Sequence, residues 1–487
     1  MLAFEMAVGC SVFMILPTLL YRRKKLHDLH VEIIDARSSG LIIPFKHLSE
    51  ANQSIELDYD MLENALGIMC TVILWYFFVV IGLGIVILYY ALCLQPNQDE
   101  LQERGITRFD SAVFLSVSSF ANAGLSLTSD SLIGLDSNPC AYILISFLII
   151  MGNTGIPVVL RLILSSILKC QNIYFQFIQE RKFSKDYLRQ SIYFQKGVQY
   201  ILDNPRKIST HIFSADQTIV LAKMIVALIL LQYVFFLAAT MNRSESLSQY
   251  SRLELAGIGY FQTMSVRTAG FSMMDLRLLN QGLLVVYAVM MYVSAYPFSS
   301  TVEVTKQLRR DDTAQLPVQL NIPTNKKYGS EIYQEVTMET THNILHNLSP
   351  SVLWADGGSS NSNVQPDGLG DGGGFLKEMK RNVFRHTFFL LLAVIVCSFS
   401  EDRLITDSSS QVNLWYVMFE IVSAYGTVGL SLGLPGRPYS LSGAFSPVGK
   451  LVIILVMLLG KSRGLPSRDD DVIDFEFRFF RRAVGLI

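Results

Sequence analysis

Residues 423–431 read Ser-Ala-Tyr-Gly-Thr-Val-Gly-Leu-Ser, and the chain carries two further copies of this pattern. The copies are Ser-Ser-Phe-Ala-Asn-Ala-Gly-Leu-Ser at 118–126 and Ser-Val-Arg-Thr-Ala-Gly-Phe-Ser at 265–272. Each copy lies between two long apolar stretches, and we name the copies the Gly124, Gly270 and Gly429 segments. Glycine adopts backbone angles that turn successive carbonyl oxygens toward one axis, where they replace the water shell of an ion. The repeat therefore predicts a cation filter between membrane spans.

The composition is that of a membrane protein. Hydrophobic residues make up 51% of the 487 residues and charged residues 17%, whereas soluble proteins carry about 25% charged residues. The net charge of −1 and the lack of a basic arm argue against a nucleic-acid partner. The six cysteines form no CxxC pair and the seven histidines no HExxH motif. We therefore expect no metal site, no cofactor other than the transported ion, and no membrane enzyme.

Seven apolar stretches come close to or exceed the length of about 20 residues that a helix needs to cross a bilayer. They lie at 3–21, 66–94, 140–168, 218–241, 276–300, 384–400 and 445–461. The glycine segments fall between the second and third, the fourth and fifth, and the sixth and seventh of these stretches. Their own apolar parts are too short to cross, so we predict re-entrant half-helices followed by extended chain. The predicted fold is an all-α integral membrane protein of repeated membrane–pore–membrane units.

Positive charge predicts the orientation of these units. Lys and Arg are concentrated in the loops 170–217 and 301–383 and in the tail 462–487. The positive-inside rule therefore puts these segments and the C-terminus in the cytoplasm, and all three glycine segments enter from outside. The loop 301–383 is rich in Gly and Ser near its end, which predicts partial disorder.

Three complete units are predicted, at 66–168, 218–300 and 384–461. Residues 1–21 fit the closing span of a first unit whose opening span and pore segment are absent, because a ring of carbonyls around one ion needs four sides. A chain that functions with three units is the alternative. A non-conducting fragment and a transporter of organic solutes are further alternatives. The latter would show inverted repeats, whereas these repeats are parallel.

Four stretches resemble the Trk/Ktr/HKT superfamily of cation transporters, and most closely the fungal-type Trk potassium transporters. They are residues 419–431, 265–271, 152–157 and 450–466. The resemblance implies four units around a pseudo-fourfold pore, a homodimer with one pore in each protomer, and a place in the plasma membrane. It also implies a selectivity filter built from Ala123, Gly124, Ala269, Gly270, Val428 and Gly429. Glycine in all three segments favours potassium, and sodium or mixed transport stays open because the first segment is absent.

Charged and helix-breaking residues in the spans suggest further roles. Ser294 and Pro297 interrupt the fifth span where the resemblance implies a gating loop, and a packed proline kink is the alternative. The resemblance implies that Lys450 faces the ion cavity, and a lysine that reaches the interface is the alternative. Arg267 and Asp275 bracket the Gly270 segment, and an ion pair between them is a further hypothesis.

Overall fold

The computed structural model describes residues 1–38, 49–94, 105–128, 131–178, 185–209, 211–241, 250–293, 372–407, 412–434 and 439–462. These ranges are mainly helical. In chain order the helices are α1 (Leu2–Gly9), α2 (Ser11–Ser38), α3 (Ser49–Cys93), α4 (Arg108–Ala121), α5 (Pro139–Gly152), α6 (Ile156–Ile178), α7 (Lys185–Asp203), α8 (Pro205–Ile208), α9 (Ala215–Met241), α10 (Arg252–Thr268), α11 (Gln281–Val293), α12 (Gly372–Ser400), α13 (Asp402–Thr406), α14 (Leu414–Gly426) and α15 (Pro447–Ser462). The predicted all-α class is confirmed.

The described helices include three that are long and apolar enough to cross a membrane. They are Met61–Cys93 in α3, Ile156–Tyr174 in α6 and Ala215–Met241 in α9. Shorter apolar helices lie at Pro139–Gly152, Gln281–Val293 and His386–Ser400. A helix rises about 1.5 Å per residue, so Pro139–Gly152 is too short to span the hydrocarbon layer alone, whereas His386–Ser400 is the apolar end of the 29-residue helix α12.

The same succession of elements occurs around each glycine segment. A long helix (α3, α9 or α12) precedes a short helix (α4, α10 or α14), and the glycine segment follows the short helix. A 3-10 turn then leads into a second apolar helix; the turns are Ile133–Leu135, Leu276–Leu278 and Leu441–Ala444. Each short helix packs against the long helix before it and the apolar helix after it.

Each short helix also packs against a helix from the preceding part of the chain. Helix α5 packs against α10 and α11 packs against α14. In the same way α1 packs against α4. The helix that precedes the first described repeat thus occupies the position that α5 and α11 occupy for the later repeats.

The starts of the short helices are fixed by side-chain caps. Thr107 accepts a hydrogen bond from the Asp110 amide, and Ser251 does the same for Glu254. In both cases the acidic side chain bonds back to the amide of the capping residue, which completes a capping box. Asn413 caps α14 by accepting from the Tyr416 amide. Capping satisfies amides that would otherwise have no partner in the first turn.

Two of the predicted spans are interrupted. The span 3–21 is broken at Cys10, which has extended backbone angles between α1 and α2. The span 140–168 is broken between Gly152 and Ile156. A Cβ atom at Gly152 would overlap the carbonyl oxygen of Phe120 at the end of α4. Helix α5 can approach α4 this closely because glycine has no Cβ atom. Hydrophobic length alone could not reveal these breaks.

Helices α2, α7 and α8 pack against α3, and the contact with α7 lies near the start of the apolar part of α3, Met61–Cys93. Asn64 donates to the Tyr193 carbonyl (3.2 Å), and Arg22 donates to the Ile208 carbonyl (3.1 Å). Buried side chains from these helices form one cluster with those of α1 and α6. Helices α7 and α8 belong to the segment 170–217, which the positive-inside rule predicts to be cytoplasmic. The predicted loop residues 301–371 and the tail from residue 463 lie outside the described residues.

Candidate ion-binding site at the three glycine segments

The short helices end directly at the glycine segments, in two different ways. Helices α4 and α14 end at Asn122 and Thr427, which both have left-handed backbone angles with φ of 54°. Helix α10 ends at Ala269 with right-handed angles and lacks the left-handed residue. Correspondingly, Gly270 follows Ser265 by five residues, whereas Gly124 follows Ser118 and Gly429 follows Ser423 by six. The three segments are therefore similar but not equivalent.

Gly124, Gly270 and Gly429 all have positive φ angles, of 67°, 79° and 84°. A Cβ atom at Gly124 would overlap the carbonyl oxygen of Ala269, and one at Gly270 would overlap the carbonyl oxygen of Val428. Each of these glycines thus lies against the carbonyl that precedes the next glycine. At Gly429 no described atom lies within 4 Å of the corresponding position. The three segments form a consecutive arc in which this last side is open.

Serines at the ends of α4 and α10 hold the chain just beyond the glycine. The Ser118 hydroxyl donates to the Leu125 carbonyl (2.7 Å) and accepts from the Leu125 amide (3.0 Å). The Ser265 hydroxyl donates to the Phe271 carbonyl (2.7 Å). Ser118 and Ser265 are buried, so these bonds are shielded from competing water. They fix the direction of the backbone next to Gly124 and Gly270.

A hydrogen-bonded link joins the Gly124 and Gly270 segments. The Thr268 hydroxyl donates to Oδ1 of Asn122 at 2.7 Å. The amide group of Asn122 donates to the carbonyls of Phe120 (3.2 Å) and Ile149 (3.1 Å). Asn122 therefore ties together α4, α5 and the end of α10. Asparagine tolerates the left-handed conformation better than most residues, which was the available sequence signal for a special role.

The outer ends of these two segments are joined as well. The Ser272 amide donates to the Ser131 hydroxyl (3.1 Å), and the Leu132 amide donates to the Ser272 carbonyl (2.9 Å). The segments are therefore in register over several residues and not only at their glycines.

The family model described as "TrkH: Cation transport protein" matches residues 46–478. The chain belongs to the TrkH family. The sequence resemblance to Trk transporters is thereby confirmed. The family consists of cation transport proteins, which confirms the expectation that the chain is not an enzyme.

Curated relatives of this TrkH chain are named as potassium transporters. It is 30% identical over 417 residues to the "Low-affinity potassium transport protein" of Saccharomyces cerevisiae, covering 84% of this chain and 43% of that protein. It is 28% identical over 391 residues to "Potassium transporter TRK1" of Candida albicans, covering 80% and 31%. It is 27% identical over 431 residues to "Potassium transport protein 2" of Schizosaccharomyces pombe, covering 87% and 42%. The chain spans less than half the length of these three relatives.

The predicted filter residues of this TrkH chain lie together. Ala123, Ala269 and Val428 each directly precede one of the three glycines. Ala269 and Val428 are buried and their carbonyl oxygens lie against the neighbouring glycine, whereas Ala123 is partly exposed. Among the described residues no group of three or more His, Cys, Asp or Glu side chains comes together. The three segments place the carbonyl oxygens of Ala269 and Val428 beside Gly124 and Gly270.

The other predicted site residues are distributed differently. Lys450 is exposed in the first turn of α15. Ser294 and Pro297 lie outside the described residues.

The hypothesis of an Arg267–Asp275 ion pair is wrong. Asp275 instead binds Arg277, with Nε–Oδ1 at 2.9 Å and Nη2–Oδ2 at 2.7 Å. Burial alone would raise the pKa of Asp275, but the hydrogen bonds and charge of Arg277 outweigh it and lower the pKa. Arg267 is only 4% exposed in the last turn of α10, and its Nη2 atom has no hydrogen-bond partner among the described residues. Two residues that bracket a motif in sequence need not face each other.

Proposed function

We propose that this chain forms three sides of the ion pathway of a potassium transporter. The observation that carries the proposal is the arc of three positive-φ glycines, each at the end of a short helix. Carbonyl oxygens next to such glycines can replace the hydration shell of a potassium ion. The partially negative C-terminal ends of the helices favour a cation at the same place. The names of the relatives as potassium transporters support potassium as the ion.

The fourth side of the pathway would be another glycine segment. The same contact occurs at Gly124 and Gly270: each glycine lies against the carbonyl of the residue that precedes the next glycine. If this contact is repeated once more, Gly429 would lie against a carbonyl of a fourth segment. The open position at Gly429 and the exposed side chain of Thr427 support this proposal.

The proposal includes several features that the sequence predicted. The protein would lie in the plasma membrane as a homodimer, with its C-terminus in the cytoplasm. The breaks after α1 and α5 would lie on the cytoplasmic side of the filter, and Ser294 and Pro297 would belong to a gating loop. Sodium is the second candidate ion, since the fourth segment would take part in ion choice. No cofactor would be needed.

The test is uptake of rubidium, as a tracer for potassium, into cells that lack potassium uptake. The chain would be expressed alone and also fused behind the first membrane–pore–membrane unit of a TrkH transporter. We expect uptake from the fused form, stronger inhibition by potassium than by sodium, and loss of uptake in Gly270→Asp at an unchanged surface level. Unchanged uptake in Gly270→Asp would contradict the assignment of the site. Stronger inhibition by sodium would favour the second candidate ion.

A further inference from the structure

The Gly429 segment lacks the serine bond that holds the other two segments. Ser423 occupies the position of Ser118 and Ser265, and it is equally buried. Its hydroxyl nevertheless has no hydrogen-bond partner among the described residues. The chain beyond Gly429 must therefore be held by another group.

Glu420 lies one turn before Ser423 on the same face of α14. Its side chain is only 6% exposed, and its Oε1 atom accepts a hydrogen bond from the Ser442 amide at 3.1 Å. The hydroxyls of Ser431 and Ser442 lie beside the carboxyl group. The Ser431 hydroxyl in turn accepts from the Leu441 amide at 3.0 Å. Glu420 thus connects α14 to both ends of the chain that leads from Gly429 to the turn Leu441–Ala444.

The equivalent positions in the other repeats show what this carboxyl group replaces. Gln262 lies three residues before Ser265; its Oε1 atom accepts from the Met273 amide (3.2 Å) and its Nε2 donates to the Phe271 carbonyl (3.4 Å). Leu115 lies three residues before Ser118 and has no polar group. The Gly270 segment therefore has a serine and a glutamine, the Gly124 segment a serine alone, and the Gly429 segment the glutamate alone.

The setting of Glu420 makes this connection strong. Among the described residues no cationic side chain forms an ion pair with Glu420, and its second oxygen is buried without a hydrogen-bond partner. A buried carboxyl group gains little from water, so the bond to Ser442 is the main polar contact that compensates its burial. Breaking that bond would leave both a carboxyl oxygen and an amide without partners.

We propose that Glu420 is a positioning residue that sets ion specificity by holding the chain beyond Gly429 in the conformation that presents its carbonyls to the ion. The bond acts through an acceptor oxygen and not through charge, so glutamine can replace the glutamate. The effect on ion specificity rests on the proposed transport function, whereas the effect on the backbone does not.

The test compares four variants of the full chain, fused as above. Glu420→Gln introduces the residue of position 262 and keeps the acceptor, and Glu420→Leu introduces the residue of position 115 and removes it. Ser423→Ala and Ser265→Ala form a matched pair, since only Ser265 bonds to the chain beyond its glycine. Hydrogen–deuterium exchange of the Ser442 amide reports the bond directly, and the ratio of potassium to sodium uptake reports specificity.

In Glu420→Leu we expect exchange at Ser442 to become faster by about tenfold or more, as for loss of a buried hydrogen bond to a carboxyl group. The potassium-to-sodium uptake ratio should fall at an unchanged surface level. Glu420→Gln and Ser423→Ala should stay within about twofold of the unsubstituted protein, and Ser265→Ala should lose selectivity. If Glu420→Leu does not reach the membrane, Glu420→Met removes the acceptor with a side chain of similar length.

Two results would overturn the proposal. Equal exchange at Ser442 in Glu420→Leu and in the unsubstituted protein would show that the carboxyl group does not hold the turn. Loss of selectivity in Glu420→Gln would show that charge and not the acceptor oxygen matters. If the unsubstituted protein transports no cation, the proposed function fails, but the exchange measurement still decides whether Glu420 holds the turn.

Discussion

Replacing Gly270 by alanine adds one methyl group at the most confined point of the arc. The φ angle of 79° costs a non-glycine residue about 1–2 kcal/mol, which alone corresponds to a factor of about 5–30 in the population of the required conformation. The new Cβ atom also overlaps the carbonyl oxygen of Val428, so that a proposed ion ligand must move. We expect loss of rubidium uptake beyond what backbone strain explains, measured as initial rates over a range of rubidium concentrations with surface biotinylation.

Gly105 provides a control for the free-energy cost of the positive φ angle. Its φ angle is 71°, and no described atom lies within 4 Å of an added Cβ. Gly105→Ala therefore carries a similar strain without an overlap and lies outside the glycine segments, so its uptake should stay close to that of the unsubstituted protein. Equal uptake by Gly270→Ala and Gly105→Ala would refute the reasoning. Gly429→Ala tests the open side, because it should be as damaging as Gly270→Ala only if a fourth segment lies there.

Three further outcomes are expected. Combining Asn122→Leu with Thr268→Val should reveal a coupling of about 1 kcal/mol in the free energy of unfolding, from the hydrogen bond between them; additive effects would argue against the bond. The buried Glu401 carboxylate accepts from the amide and hydroxyl at position 446, so Glu401→Ala should destabilise the protein by about 1.5–3 kcal/mol, seen as a lower melting temperature in detergent. The pKa of Asp275 is lowered in the folded protein, so its contribution to stability is fully present above its ordinary pKa of 3.8 and is lost as the pH falls through the lowered value. Hydrogen exchange near Asp275 should therefore be flat from pH 5 to pH 8, after correction for intrinsic rates, and rise only in acid, whereas Asp275→Asn should remove the acid-dependent part.

The sequence predicted the helical class and a short helix before each glycine segment, since apolar length is a local property. The breaks after α1 and α5 were not predictable. The break at Gly152, for example, depends on how closely the Phe120 carbonyl approaches. Length and hydropathy do not contain that distance.

The site was predictable in part. Repetition located Gly124, Gly270 and Gly429, because only glycine takes a left-handed conformation against a neighbouring carbonyl without strain. The partners of polar side chains were not predictable. Arg277 competes with Arg267 for Asp275 and is closer along the chain, and Ser423 has the same residue type as Ser265 without its bond. Such choices depend on distances and angles in the folded chain that residue type and spacing do not contain.

Arg267 has a consequence for how an ion would experience this site. Helices α4 and α14 have no basic residue in their last turn, whereas α10 ends with the buried guanidinium of Arg267. That positive charge opposes the negative end of its own helix dipole, and the low dielectric of its surroundings leaves it poorly screened. The electrostatic potential across the arc is consequently asymmetric, and it is more positive on the Gly270 side. In the proposed ion pathway, a cation in the plane of the glycines would be pushed away from the Gly270 side and would rest off the geometric axis.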